Sequence, residues 1–265
     1  MRLSVLCFAA VSFAWAAIGA GGEGEVRVGL DPRSAPWVFV PGHEFLPRED
    51  VTRPPRTTPT ELAKLVGIDV DVLGALAARL RIRPQLVPTA WRDLETGLVG
   101  GQYELILCQW TPTTKTPTAI AASAPYYEWG LLVAGRADDA RIRTLSDLQD
   151  KRVGEGEDPA VGPALRAMGV GLGVGLVGNE NESVLFDDLK AGRLDAVVYD
   201  SPYVRWRVAR DQRLRVVGEP LNRLGYHVGV RRRDASLLAR VDAAIGDLMV
   251  SGDLAAIRRK WEEPP

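Results

Sequence analysis

Two α/β lobes are predicted for this chain by three observations. Its 265 residues (28.8 kDa) are enough for one large or two modest domains. Short alternating or apolar runs are interleaved with helical stripes in two successive series. Two amphipathic segments close the chain. With 46% hydrophobic and 25% charged residues the composition is that of a globular protein and excludes disorder and collagen. Lys and Arg total 33 against 34 for Asp and Glu, so no broad positive field exists to draw in nucleic acid or an anionic membrane. Specificity has to come from a local site.

Residues 1–20 form a class of their own. Arg2 is followed by an apolar run from Leu3 to Ile18 that ends in small residues, the pattern of a secretory signal peptide cleaved after Ala16 or Ala20. The run falls short of the roughly 20 residues a membrane span needs, so a periplasmic or secreted protein without membrane insertion is expected. Cys7 lies inside this segment, which leaves Cys108 alone and no internal disulfide. His43 and His227 are far apart in sequence, and neither a metal nor a cofactor is expected.

The first series starts with a strand at Val26–Leu30, stopped by Asp31-Pro32. From Pro41 to Thr60 five prolines (41, 47, 54, 55 and 59) mark an irregular surface excursion. Ile68, Val72, Leu73, Leu76 and Leu80 make one helical stripe; a strand at Arg83–Pro88, a short helix at Asp93–Val99 and a strand at Tyr103–Cys108 follow. This βαβαβ order calls for parallel pairing with right-handed crossovers. The second series has an apolar run at Leu131–Ala134, a helical turn at Leu145–Leu148 and a strand at Arg152–Gly154. A helix at Gly162–Met168, a glycine-rich strand with its flanks over Gly169–Val177, a helix at Asn181–Ala191 and a strand at Ala196–Tyr199 complete it. Ala235–Met249 and Leu254–Trp261 are the closing helices.

Taken in order, Val26-Arg-Val-Gly-Leu-Asp31 with Pro36-Trp37, Gly67-Ile-Asp-Val-Asp-Val72, Val87-Pro-Thr-Ala-Trp91, Gly101-Gln-Tyr-Glu-Leu-Ile106, Ser123-Ala-Pro-Tyr-Tyr127, Leu145-Ser-Asp-Leu148, Lys151-Arg-Val-Gly154 and Gly192-Arg-Leu-Asp-Ala196 resemble family 3 of the bacterial extracellular solute-binding proteins, the periplasmic amino-acid-binding proteins of ABC importers. The resemblance implies a two-lobed type II periplasmic-binding-protein fold, each lobe a mostly parallel sheet flanked by helices. Lobe one would take residues 26–131 and 224–265, lobe two 132–223, with hinge crossovers near Leu131–Arg136 and Glu219–Tyr226. A small solute would be trapped between the lobes by hinge closure and handed to an inner-membrane ABC permease.

The same resemblance nominates binding residues. Asp31 ends the first strand, and Trp37 would wall the pocket. Gln109, Trp110 and Thr111 open the loop after the strand Tyr103–Cys108. Asp200, ending a lobe-two strand, would hold the ligand ammonium, since a buried carboxylate calls for a cationic partner. The family's carboxylate-gripping arginine is absent: its place falls on Thr116 or Thr114, with Lys115 beside it. The lobe-two turn that offers N–H groups to the carboxylate reads Asp158-Pro159-Ala160, where proline removes a donor and Asp158 adds a negative charge. A polar, amine-bearing solute less anionic than a free α-amino acid is therefore expected. Two other functions stay open. One is a periplasmic sensor or partner protein that uses the Pro41–Thr60 excursion as contact surface. The other is a lyase or hydrolase with Glu155, Glu157 or Asp158 as general acid; a nucleophilic Cys108 has no histidine nearby in sequence to activate it.

Overall fold

The computed structural model describes residues 24–44, 55, 57–156, 165–167, 175–178 and 182–262. The elements of the first part are β1 (Glu25–Leu30), β2 (Arg33–Ser34), β3 (Val38–Phe39), α1 (Pro59–Leu62), α2 (Ile68–Leu80), β4 (Arg83–Pro88), α3 (Leu94–Val99), β5 (Leu105–Ile106) and β6 (Ile120–Trp129). Then come β7 (Leu131–Arg136), β8 (Arg152–Glu155), β9 (Gly175–Gly178), α4 (Glu182–Lys190), β10 (Ala196–Asp200), α5 (Ser201–Arg210) and β11 (Leu214–Val217). β12 (Leu224–Arg231), α6 (Ala235–Ser251) and α7 (Asp253–Glu262) end the chain.

Among the described residues the main sheets are two of five strands each, ordered β4-β1-β5-β12-β6 and β11-β7-β10-β8-β9. β1 pairs parallel with β4 and β5, and β8 pairs parallel with β9 and β10, because strands linked through helices return in the same direction. β12 runs antiparallel to β5 and β6, and β7 runs antiparallel to β10 and β11. These are the strands beside the passages from one sheet to the other, so both sheets are mixed. β6, β11 and β12 were not legible as strands. Pro125 breaks the β6 pattern, yet β6 is an edge strand, where a residue without an N–H is tolerated, and the β12 register shifts around His227 opposite it.

The crossover expected at Leu131–Arg136 needs correction. Leu131, Leu132, Val133 and Ala134 are at most 1% exposed within β7, all four paired with β10 and the last two also with β11, as befits an unbroken apolar run. The chain changes sheets one residue earlier, at Gly130, and returns between β11 and β12, so that Tyr226 belongs to β12. The two passages are bonded side by side: Leu221 N donates to Leu131 O (2.7 Å) and Leu131 N to Asn222 Oδ1 (2.9 Å). A Cβ on Gly130 would lie 2.1 Å from Asn222 O. Gly130→Ala is therefore expected to force the passages apart and cost about 1–3 kcal/mol, read as a lower urea midpoint.

The excursion after Pro41 is bracketed by a bridge between Phe39 and Val66. Its end is regular: Glu61 N donates to Thr58 Oγ1 (3.2 Å) and Thr58 N to Glu61 Oε2 (2.8 Å), a capping box that starts α1 at Pro59. The signal segment, residues 45–54 and most of the expected helix at Gly162–Met168 lie outside the described residues; 165–167 are helical.

Candidate functional site

The candidate site lies where the carboxyl ends of strands from both sheets meet at the passages. In α/β sheets this edge collects loops and helix N-termini. On the first sheet, Asp31 follows β1, Trp91 follows β4 and Gln109 follows β5. On the second, Glu155 ends β8 and Asp200 ends β10, directly before α5.

Asp31 is 2% exposed and fully engaged. Its Oδ1 accepts from Arg33 N (3.1 Å) and Nε (2.9 Å), and its Oδ2 from Arg33 Nη2 (2.8 Å) and Trp91 N (3.0 Å). Its own N–H donates to Cys108 Sγ at 3.3 Å. Cys108 is buried, so the thiol serves to join the ends of β1 and β5.

Gln109 adopts a left-handed backbone (φ 40°) that turns the chain out of the sheet. The turn is held by Asp69, in the first turn of α2, whose Oδ2 accepts from Gln109 N (2.6 Å) and whose Oδ1 accepts from Tyr126 OH (2.9 Å). Burial pushes the Asp69 carboxyl up to about 7, against the pull of those two hydrogen bonds. Asp69 N also donates to Trp37 O (3.0 Å), so one buried carboxyl residue brings Trp37 and Gln109 together. Two positions on, Asp71 faces elsewhere and accepts from Lys260 Nζ and Trp261 Nε1, both at 2.7 Å, tying α2 to α7. The side chain of Gln109 leaves Oε1 buried, with no hydrogen-bond donor among the described residues.

Across the passages, Asp200 Oδ2 accepts from Tyr226 OH at 2.6 Å. This bond links the last residue of β10 to β12 of the other sheet. Burial, first, and the neighbouring Asp200 carboxylate raise the Tyr226 phenol well above its ordinary range, so it stays a donor. Tyr226 stacks on Trp129 (centroids 5.1 Å apart) and meets Trp37 edge-on (6.1 Å).

Several nominated residues do other work. Trp37, expected to wall the pocket, is 1% exposed and stacks at 5.9 Å and 11° on Tyr203 of α5, so its ring fills the junction between the two sheets. The aromatic surface beside Asp31 belongs to Trp91, 47% exposed. Trp110 is buried and donates from Nε1 to Glu95 Oε1 (3.0 Å). Thr111 Oγ1 donates to Gly225 O (2.9 Å) and accepts from Trp129 Nε1 (3.3 Å), which commits its single proton to the β12 backbone. Thr116, at the place of the absent arginine, donates to Glu95 Oε1 (2.9 Å) and accepts from Thr113 N (3.0 Å), so it braces its own loop. Lys115 is exposed on that loop. Asp158 and Ala160 lie outside the described residues. Sequence reasoning missed Arg33, Asp69, Trp91 and Tyr226; Asp69 and Trp91 stand within the family motifs and Arg33 beside one, but their partners are distant or depend on the turn. Among the described residues no group of three or more His, Cys, Asp or Glu side chains is arranged to hold a metal.

Comparison with known proteins gives this arrangement a context. The chain matches the bacterial extracellular solute-binding proteins, family 3, over residues 50–264. It is 27% identical to the L-cystine-binding protein TcyJ of Escherichia coli over 212 residues, 79% of each chain. It is 23% identical to the histidine-binding periplasmic protein of Salmonella typhimurium over 267 residues, 97% of this chain and 93% of that one. Among solved structures, an ancestral arginine-binding protein bound to glutamine is 25% identical with a TM-score of 0.67, covering 92% of this chain and all (100%) of that one. An arginine-binding protein variant from T. maritima, 26% identical, superposes with a TM-score of 0.68 over 90% of this chain and 95% of that one. With the family match spanning most of its length, the chain belongs to the bacterial extracellular solute-binding proteins, family 3.

Proposed function

We propose that the protein is an extracytoplasmic receptor that closes its two lobes on a small, polar, amine-bearing solute and delivers it to the permease of an ABC importer. The observation that carries the choice of solute is Gln109 Oε1, a buried acceptor with no donor among the described residues, set in a turn that Asp69 fixes. A buried acceptor without a partner is costly, and an ammonium or amine N–H is the complement it lacks. Asp200 stands as a carboxylate at the matching strand end of the other sheet. The relatives named for cystine, histidine and arginine are named for ligands that carry an α-ammonium, in line with this reading. Export through the N-terminal apolar segment and residence in the periplasm belong to the same proposal, as does hinge motion about Gly130 and Asn222. Among the described residues no helix is long and apolar enough to cross a membrane.

Calorimetry with amino acids, their amides, the decarboxylated amines and the matching amine-free acids tests the proposal. At least one amine-bearing solute is expected to bind. Gln109→Ala is expected to weaken it roughly ten- to hundredfold, the equivalent of one hydrogen bond to a charged group at about 1.5–3 kcal/mol. Amine-free acids binding as tightly as the amines would overturn it.

A further inference from the structure

Glu95 stands in the first turn of α3, which begins just after the chain leaves the carboxyl end of β4. Its Oε1 accepts from Trp110 Nε1 (3.0 Å) and from Thr116 Oγ1 (2.9 Å), residues near the two ends of the loop that Gln109 opens. Thr116 Oγ1 in turn accepts from Thr113 N (3.0 Å), and Thr113 Oγ1 from Lys115 N (3.1 Å). The loop is thus closed on itself and pinned to α3 through a single oxygen. The other oxygen, Oε2, takes no donor among the described residues and is not buried, and no Lys or Arg among them is paired with this carboxylate. Bracing needs only an acceptor at Oε1, which the amide oxygen of a glutamine would supply as well. The negative charge and the second oxygen are surplus to the brace.

We infer that this corner is a second cation subsite, in which Glu95 Oε2 receives an ammonium or guanidinium group, so that the solute carries positive groups at both ends and no free carboxylate. The inference rests on the receptor reading proposed above and supplies the far end of its solute. Gln109 Oε1 is the buried acceptor for the first N–H, and Glu95 is fastened to the next residue, Trp110, so one stretch of backbone governs both acceptors. A hydrogen bond from a cation to a carboxylate is among the stronger ones, and a carboxylate with one oxygen already fixed loses little freedom in forming it. A zwitterion fares worse. Its carboxylate would lie near a like charge in half-buried surroundings, where repulsion is screened less than on an open surface. Lys115, the one cation between Gln109 and Pro117, has an exposed side chain and does not neutralise Glu95.

The test is calorimetric titration of the full-length mature protein with the α,ω-diamines of three, four and five carbons, with agmatine, with butylamine, and with the four-carbon amino acid whose amine and carboxylate stand at opposite ends. The wild type is expected to bind the best of the dications roughly tenfold or more tightly than butylamine or the amino acid, the size of one hydrogen bond to a charged group. The diamine series reads the span between the two acceptors. Glu95→Gln, which keeps an acceptor for Trp110 and Thr116, is expected to lower the dication affinity by roughly the same factor and to leave butylamine within about twofold. The dication-to-butylamine ratio is the readout, since a variant that merely loosened the loop would lose both solutes together. Thermal melts establish that the variant is folded, and the wild-type comparison needs no variant. A wild type that binds butylamine or the amino acid as tightly as the best dication, or a ratio that is the same in the wild type and the folded variant, would overturn the subsite while leaving the receptor reading intact. Failure of the wild type to bind any amine-bearing solute would overturn both.

Discussion

Replacing Trp37 by alanine is expected to cost the fold about 3–5 kcal/mol, the range for deleting a buried large aromatic, whereas Trp91→Ala is expected to leave stability within about 0.5 kcal/mol, as for an exposed site. Trp37 stacks on Tyr203 and meets Tyr226 edge-on, so truncation removes contacts from α5 of one lobe and β12 of the other together. The loss falls on the junction of the two sheets, where Trp37 touches both Tyr203 and Tyr226. Trp37 Nε1 is buried with no hydrogen-bond acceptor among the described residues, so Trp37→Phe keeps much of the stacking, deletes that donor and should cost less than about 1.5 kcal/mol. Urea unfolding of the three variants measures these costs, and calorimetry measures the solute. Trp91→Ala should weaken solute binding several-fold, since Trp91 is exposed at the end of the site where its backbone N–H holds the Asp31 carboxylate. A stable Trp37→Ala protein that has lost binding would restore Trp37 to the pocket wall.

The two tryptophans show what a sequence can and cannot convey here. Both are aromatic residues just beyond a strand of the first lobe, and what separates them is enclosure by Tyr203 and Tyr226, which stand far along the chain. The fold class was legible because β1, β4 and β5, like β8 to β10, alternate or run apolar between helical stripes. The antiparallel strands were not: Pro125 interrupts β6, and Gly225 and Gly229 thin the pattern of β12. In the site, the residue types at Asp31, Thr111 and Thr116 could be read, but not which of their lone pairs and protons are already spent. Thr111 and Thr116 give theirs to Gly225 and Glu95, contacts set by tertiary packing. Arg33 lies two residues from Asp31 and still escaped notice, because a pair at that spacing forms only when the turn folds the side chain back.

Asp69 gives the fold an expected dependence on pH near neutrality. Its carboxyl rises from an ordinary 3.8 to about 7 because it is buried, while in the unfolded chain it returns to the ordinary value. Between those values the folded protein holds a proton that the unfolded chain has released. The stability this contributes is fully present below about pH 4 and is lost as pH rises through about 7, by at most about 4 kcal/mol for a shift of this size. Asp139 and Asp211 act in the opposite sense and in another window. Hydrogen bonds from Arg141 and Arg213 hold them well below the carboxylate range, so their contribution is present above about pH 4 and lost in acid. From pH 5 to 8 the wild-type urea midpoint is therefore expected to fall by more than that of Asp69→Asn, which cannot ionise. The variant will be less stable at pH 5, since its amide can accept only one of the bonds from Gln109 N and Tyr126 OH. The difference in slope, not the absolute midpoint, is thus the readout, and parallel slopes for the two proteins would mean that Asp69 stays ionised throughout. Gln109 adds a second readout. Because Asp69 fixes its turn, solute affinity in Asp69→Asn should drop while the preference among amine-bearing solutes, which rests on other side chains, stays as in the wild type.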